Sequence, residues 1–458
     1  MNQKAKDILL KITVNLCRLV LATTFIFSGF VKANDPYGTA YKLIDYLNAW
    51  SVNLTETLAL FGAVILSTIE LVIGLYLFFG ISRRPTARIT TVLMGFMMLF
   101  TVYIAIYNPV SDCGCFGDAI ILTNTETLLK NILLMGASII LWKHHELQIR
   151  FLSKNTEWLI SIFSNIYALS LAGYSIAYLP SIDFRPYHIG ADVRKGIEIP
   201  EDQRPLFENK IVYERNGETL ELGLDEDDPD STWTYVETKR VIIKEGGKAL
   251  MSDFYVIDQN KEDITRSIVE DEGYNFLLII PQIENASQGF IGDINEIYDY
   301  SVENGYGFYC VTGSDTTAQK SWIDHTGAEY SIYNGDERTL KTIVRSNPGL
   351  VLLKDGKIIK KRSTYNLPDQ EQLTKPLENL DFGKIDSITI KRKISNIILL
   401  FILPLLTLTL LDRIAAGWSF YRNLKRKSKD FQLENIERAL GLEKTTKGNE
   451  QEETTNNN

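Results

Sequence analysis

The chain has 458 residues, 45% of them apolar and 23% charged, with four cysteines and a formal net charge of −9. Four cysteines cannot staple a fold of this length, and the apolar content excludes disorder for most of it. A mean hydropathy near zero suits a soluble enzyme, but the average hides an asymmetry. Residues 181–390 hold 39 acidic against 23 basic residues, a balance of −16, while the remainder holds 18 against 25, a balance of +7. An acidic block between basic, greasy ends argues against nucleic acid as a partner. It points to a membrane protein with one large water-facing domain and the lipid bilayer as its first partner.

A helix needs ~20 apolar residues to cross ~30 Å of hydrocarbon. Stretches near Ile12 to Phe30, Leu58 to Ile81, Ile89 to Tyr107, Leu128 to Trp142 and Leu159 to Leu179 qualify, the fourth being the shortest; a sixth, Ile394 to Leu411, follows the acidic block. Basic clusters fix the expected orientation. Lys4, Lys6 and Lys11 precede the first span, Arg83, Arg84 and Arg88 follow the second, Lys143, Arg150 and Lys154 the fourth, and Arg422 to Lys429 the sixth. Placing both termini in the cytoplasm puts every cluster inside. The loops 31–57 and 108–127 and the acidic block then lie outside the plasma (inner) membrane. The first span lacks a small-residue cleavage site and reads as a retained anchor. Thr445 to Asn458 is polar and low in complexity, which predicts a disordered tail.

The loop after the third span reads Asn108-Pro109-Val110-Ser111-Asp112-Cys113-Gly114-Cys115-Phe116-Gly117-Asp118. Disulfides persist at the outer face, and a bond between positions i and i+2 closes a tight, strained ring even with Gly114 at the turn. Strained, exposed disulfides exchange readily. Cys113 and Cys115 are therefore the candidate catalytic pair of a thiol–disulfide relay. A static clip fixing the loop, or two metal-binding thiols without further ligands, satisfies the same spacing.

This loop, the four helices around it and the segment Phe27-Ser28-Gly29-Phe30-Val31-Lys32-Ala33-Asn34-Asp35-Pro36 resemble the DoxX/MauE group of redox-associated membrane proteins over roughly residues 10–145. The resemblance implies a part in extracytoplasmic electron transfer or protein maturation, with quinone as a candidate electron partner and an extracytoplasmic protein as the other.

Two charges fall inside the spans, Arg18 in the first and Glu70 in the second. Intramembrane charges are costly and are paired or functional. At ~1.5 Å per residue Arg18 lies about 9 Å and Glu70 about 16 Å from the cytoplasmic edge, within reach of an arginine side chain. The pair reads as a structural ion pair or as a polar site for a quinone head group or a proton. Cys17 reads as a packed small residue.

Between Met251 and Leu367 strands and helices alternate. Phe276 to Ile280 and Phe308 to Val311 read as buried strands, with helices over Ile291 to Asn304, Asp315 to Ile323 and Thr339 to Arg345. Asn347 to Ile359 reads as a hairpin with Asp355-Gly356 at its turn. Such a βαβ unit, a proline-led hairpin and a closing helix resemble the thioredoxin fold, especially its membrane-tethered TlpA-like branch. Asp253 to Asp258 would be the lead-in strand pair and Pro348 the cis-proline. The departure is that Pro281-Gln282-Ile283-Glu284-Asn285-Ala286 stands where the family places C-x-x-C, and Cys310 reads as a buried structural thiol.

Upstream, Tyr213 to Leu224 and Thr232 to Lys244 read as strands around the acidic turn Asp225 to Asp230, a solvated turn. His144, His145, His188 and His325 form no metal constellation, and no phosphate loop, nucleophile elbow or dinucleotide fingerprint occurs. The expected fold is an α-helical membrane bundle plus an α/β thioredoxin-like extracytoplasmic domain. Its parts are a five-span domain (1–180), a β-rich connecting segment (181–250), the degenerate thioredoxin-like domain (251–390), the sixth span (394–411) and a cytoplasmic tail (412–458). The expected function is a membrane redox accessory protein. Its competitor is a non-catalytic, membrane-anchored binding or assembly module that docks a partner through the thioredoxin-like domain.

Overall fold

The computed structural model describes residues 3–110, 112–154, 156–203, 206–215, 218–223, 229, 232–244, 247–385 and 390–439. Among them, six helices are long and apolar enough to cross a membrane. These are α1 (Gln3–Asn34), α3 (Glu56–Phe79), α4 (Arg83–Tyr107), α5 (Asn124–Lys143), α6 (Glu157–Tyr178) and α12 (Ile390–Ala439). Their outward faces carry large apolar side chains such as Val92, Leu99, Leu133 and Leu403, which suits contact with lipid acyl chains.

Helices α1 and α3 form the centre of the bundle, and glycine permits their approach. A Cβ at Gly29 would lie 2.3 Å from the Leu71 nitrogen, and one at Gly74 would lie 2.5 Å from the Ile26 nitrogen. Without a hydrophobic force between helices in lipid, such close backbone packing is what holds them. Helix α5 starts on a capping box, Thr123 with Glu126, which sets it back four residues from the expected Leu128. Asp412 of α12 accepts from the Ser153 N–H at 3.1 Å and from the hydroxyls of Ser153 and Thr156 at 2.5 and 2.8 Å, tying α12 to the start of α6.

A further helix, α2 (Pro36–Ala49), lies where a loop was expected. Asp35 caps it by accepting from the Gly38 N–H at 3.0 Å, and Pro36 occupies the first turn, where its missing N–H costs nothing.

Residues beyond α6 build two sheets. Strands β1 (Leu206–Arg215), β2 (Glu218–Gly223) and β3 (Thr234–Lys244) form an antiparallel sheet ordered β2-β1-β3. The single strand expected over Tyr213 to Leu224 is therefore divided between β1 and β2; the Asn216-Gly217 pair between them is a hairpin signal. The acidic turn lies almost wholly outside the described residues.

The second sheet is mixed and ordered β6-β5-β4-β7-β8, from β4 (Tyr274–Ile280), β5 (Gly307–Thr312), β6 (Ile332–Asn334), β7 (Gly349–Lys354) and β8 (Lys357–Ser363). Strand β4 runs parallel to β5 and antiparallel to β7. Both faces are covered, which is why β4 reads as an unbroken apolar run. Leu277 and Ile279 face Val193 of α7 (Val193–Gly196), Ile268 of α8 (Thr265–Glu270) and Leu340 of α11 (Glu337–Ile343). Phe276, Leu278 and Ile280 face the opposite layer, with α9 (Ile291–Glu303) and Trp322 of α10 (Thr316–Thr326). Cys310 is fully buried there. The Asn347–Pro348 bond is cis.

Two expectations fail. Asp253 to Asp258 forms isolated bridges from Ile257 to Asp263 and Asn334 in place of a strand pair. The closing helix is replaced by short 3₁₀ turns at Thr364–Asn366, Leu377–Asn379 and Asp381–Gly383, because Pro368 and Pro376 interrupt the segment. Leu373, Leu377 and Phe382 still bury against the sheet.

Candidate functional site

The cysteine loop folds back into the end of the bundle beneath α2. Asn124, at the start of α5, donates to Asn108 Oδ1 at 2.5 Å and to the Val110 carbonyl at 2.9 Å, pinning the loop's entry. Asp112 accepts from the Gly114 N–H at 3.0 Å and from Lys42 Nζ at 2.7 Å, while Tyr46 donates to its carbonyl at 3.2 Å. Gly114 adopts φ +61°, and a Cβ there would press on the Lys42 stem. The turn between the cysteines therefore needs glycine both for its backbone and for its cover.

Cys113 and Cys115 are both thiols and both buried, 9% and 7% exposed, among Tyr46, Ile104, Phe100 and Val110. The Cys115 N–H donates to Cys113 Sγ at 3.2 Å, and Thr127 Oγ1 lies 3.2 Å from the same sulfur. The hydrogen bond from the Cys115 thiol is the main influence holding Cys113 below an ordinary cysteine's pKa. The Thr127 hydroxyl, the Cys115 N–H and the Lys130 ammonium reinforce it against the effect of burial. Cys115 moves the other way, because it donates that bond and is buried.

Below the turn lies an ion pair that the sequence reading missed. Glu70 accepts from Lys32 Nζ with both oxygens, at 2.7 Å, and from Ser28 Oγ at 2.8 Å; Ser28 Oγ also lies 2.7 Å from the Cys115 carbonyl. Arg18 was expected to reach Glu70. It lies instead at the other end of the bundle, where it donates to the Ile149 carbonyl and sits over the Phe151 ring at 5.2 Å. Arg18 and Glu70 thus form no common site. The expected apolar span stops at Phe30, but the helix continues to Asn34 and carries Lys32 one turn above Ser28, on the face that meets α3.

The α/β domain reaches the site through α11 and the chain just after it. Arg345 is buried and contacts Asp35 at 3.0 to 3.1 Å and Asp118 at 3.5 Å. Burial alone would raise the Asp35 pKa, but Arg345 and Arg185 outweigh it and hold the carboxyl low. Arg338 meets Asp45 at 2.8 Å and Lys341 meets Glu56 at 3.5 Å. A cleft beside the cysteine turn is lined by Lys42, Gly114, Gly117, Asp118 and Arg185. Asn34 joins the connecting segment to the bundle, donating to the Ile182 carbonyl at 2.7 Å and accepting its N–H at 3.1 Å.

At the end of β4 the segment Pro281 to Ala286 buries Ile283 in the core and makes polar contacts around it, with Ser314 donating to Glu284 at 2.7 Å and Gln282 to Glu337 at 2.9 Å. No group of three or more metal-ligating side chains occurs among the described residues.

Residues 10–143 match the family described as methylamine utilisation protein MauE, and residues 207–245 match a domain of unknown function (DUF8463). No curated protein and no solved structure matches the chain. The first match spans the first four membrane helices and the whole cysteine loop, so the chain carries a MauE-like membrane domain and is a multi-pass membrane protein.

Proposed function

We propose that the chain is a membrane accessory protein that exchanges thiols and disulfides at the extracytoplasmic face of the plasma membrane, with Cys113 attacking and Cys115 resolving. The carrying observation is the set of donors converging on Cys113 Sγ, from Cys115 and Thr127, within a two-residue turn. The Cys113 thiolate attacks a partner protein's disulfide and releases one partner thiolate. Cys115 then attacks the Cys113 sulfur of the mixed disulfide, releases the second partner sulfur and closes the Cys113–Cys115 bond. The partner gains two electrons and the pair loses two; the reverse sequence oxidises a partner dithiol. The description of the matched family, methylamine utilisation protein, supports an accessory role in that process.

We read the α/β domain as thioredoxin-like without its dithiol. The strand order β5-β4-β7-β8 and the cis-Pro348 ahead of β7 support this, and Pro281 to Ala286 carries no cysteine. Its part is to engage the partner. The burial of both sulfurs favours a second reading, in which the pair is a static element of an assembly module.

Bulky maleimide trapping in intact membranes separates the two. Exchange predicts a mixed dithiol and disulfide population that moves with mild reductant, and a Cys113→Ser chain whose remaining thiol never pairs internally. Thiols that stay reduced throughout, or a bond that resists the reductant, refute exchange.

A further inference from the structure

Lys32, Glu70 and Ser28 form a closed polar group inside the bundle, 4%, 3% and 7% exposed. A structural role alone is a weak reason to keep it: apolar replacements of similar volume hold a buried interface as well or better, and intramembrane charges are costly. The group is also tied to the cysteine turn. Ser28 has one hydroxyl hydrogen and two acceptors, Glu70 Oε2 at 2.8 Å and the Cys115 carbonyl at 2.7 Å, while Lys32 Nζ donates to its oxygen at 3.1 Å. The carboxylate, the ammonium and the Cys115 backbone are thus joined through one side chain.

The charged and titratable groups around the turn come from five elements. Cys113 and Asp112 lie on the loop itself, Lys32 on α1, Lys42 and Tyr46 on α2, Glu70 on α3 and Lys130 on α5. Lys42 is engaged with Asp112 at 2.7 Å, and Lys130 sits over the Phe116 ring at 4.2 Å. Lys32 is the ammonium reached from the Cys115 backbone through Ser28.

We propose that Lys32 and Glu70 are positioning residues for the cysteine pair: Lys32 compensates the negative charge that Cys115 acquires before it resolves the mixed disulfide, and Glu70 with Ser28 holds that ammonium beneath the turn. The proton lost by Cys115 is taken up by the partner thiolate freed in the first step, so charge and atoms balance. The inference rests on the exchange reading above and adds to it the groups that make the second step possible.

The test uses the full chain, carrying Cys17→Ser to remove the half-buried background thiol and leaving the fully buried Cys310, in lipid nanodiscs with 5,5′-dithiobis(2-nitrobenzoate) as the disulfide. Attack by Cys113 releases one equivalent of thionitrobenzoate, and resolution by Cys115 releases a second. Lys32→Met, and the charge-neutral pair Lys32→Met with Glu70→Gln, leave the first release close to the parent rate. Lys32→Met slows the second about tenfold at neutral pH and raises its pH midpoint by about one unit, as loss of a nearby opposite charge should, and the double variant, which also loses the Glu70 charge, shifts both in the same direction by a smaller amount. The double variant guards against misfolding, because it leaves no stranded charge in the bundle. If the double variant resolves at the parent rate and midpoint, the pair is packing alone and the inference fails. A parent that releases only one equivalent overturns the exchange reading itself.

Discussion

Replacing Arg345 with Met tests whether the α/β domain holds α2 over the cysteines. The three cations Arg338, Lys341 and Arg345, spaced i, i+3 and i+7, face acidic groups on the bundle side of the seam. They do not contribute equally. The Arg338 side chain is 79% exposed, so its pair with Asp45 is worth at most about 1 kcal/mol. Arg345 is 5% exposed, contacts two carboxylates and donates to the Lys341 carbonyl at 2.6 Å. Removing one partner of a buried pair costs ~3–5 kcal/mol, because the other charge is stranded. At about 1.4 kcal/mol per decade this multiplies the open population by roughly a hundredfold to a few thousandfold. Asp35 caps α2, so the loss should be read on that helix. Hydrogen exchange of the amides of residues 39–49 should accelerate by that factor, and alkylation of Cys113 should quicken with it. Adding Asp35→Asn should restore part of the loss by removing the stranded charge. Exchange in α2 that stays within threefold of the parent's would refute the latch.

Three further outcomes follow, two at the cysteines and one at Asp183. A limiting dose of iodoacetamide at neutral pH should label Cys113 before Cys115, by peptide mapping, because only the former is held below the ordinary thiol pKa. Thr127→Val should slow that labelling by removing a hydrogen bond worth about 1 kcal/mol, which raises the thiol pKa by up to about one unit. For Asp183, burial acts to raise the pKa, but Lys361 at 2.7 Å and Arg185 at 2.7 Å outweigh it and set the carboxyl far below the usual range. A depressed carboxyl contributes its stability above the unfolded pKa of about 3.9 and loses it as pH falls through the folded value. Protease resistance of residues 180–190 should therefore persist at pH 5 and fail only in stronger acid. Early loss near neutral pH would contradict the pairing.

The bundle was legible because hydropathy over ~20 residues is a strong signal, and the central strands because burial on both faces makes their apolar runs continuous. What escaped was short or decided by tertiary contact. Helix α2 has only 14 residues and no apolar run, and its local start signal is confined to the Asp35-Pro36 pair. The partner of Glu70 lies beyond the apolar run of the first span, on the last turns of α1, where hydropathy does not show that the helix continues to Lys32. The reach of Arg345 to Asp35 spans 310 positions in sequence, and no local pattern carries that. Pro368 and Pro376 are the local signal against a closing helix.

The two segments that carry the family resemblance, 27–36 and 113–118, lie 87 positions apart where Ser28 meets Cys115, and they act as one unit. From below, Ser28 and Lys32 tie the first segment to Glu70; from above, Asp35 and Asp118 meet at Arg345. Arg345 lies outside residues 10–143, so the α/β domain completes a polar seam that begins in the membrane domain. A rigid clip would need neither the buried ammonium beneath it nor the cationic face above it, since Asp112, Gly114 and Asn124 already fix the loop. Both features are explained if the turn changes charge during its work, for then one side must stabilise the thiolate while the other controls when a partner reaches it.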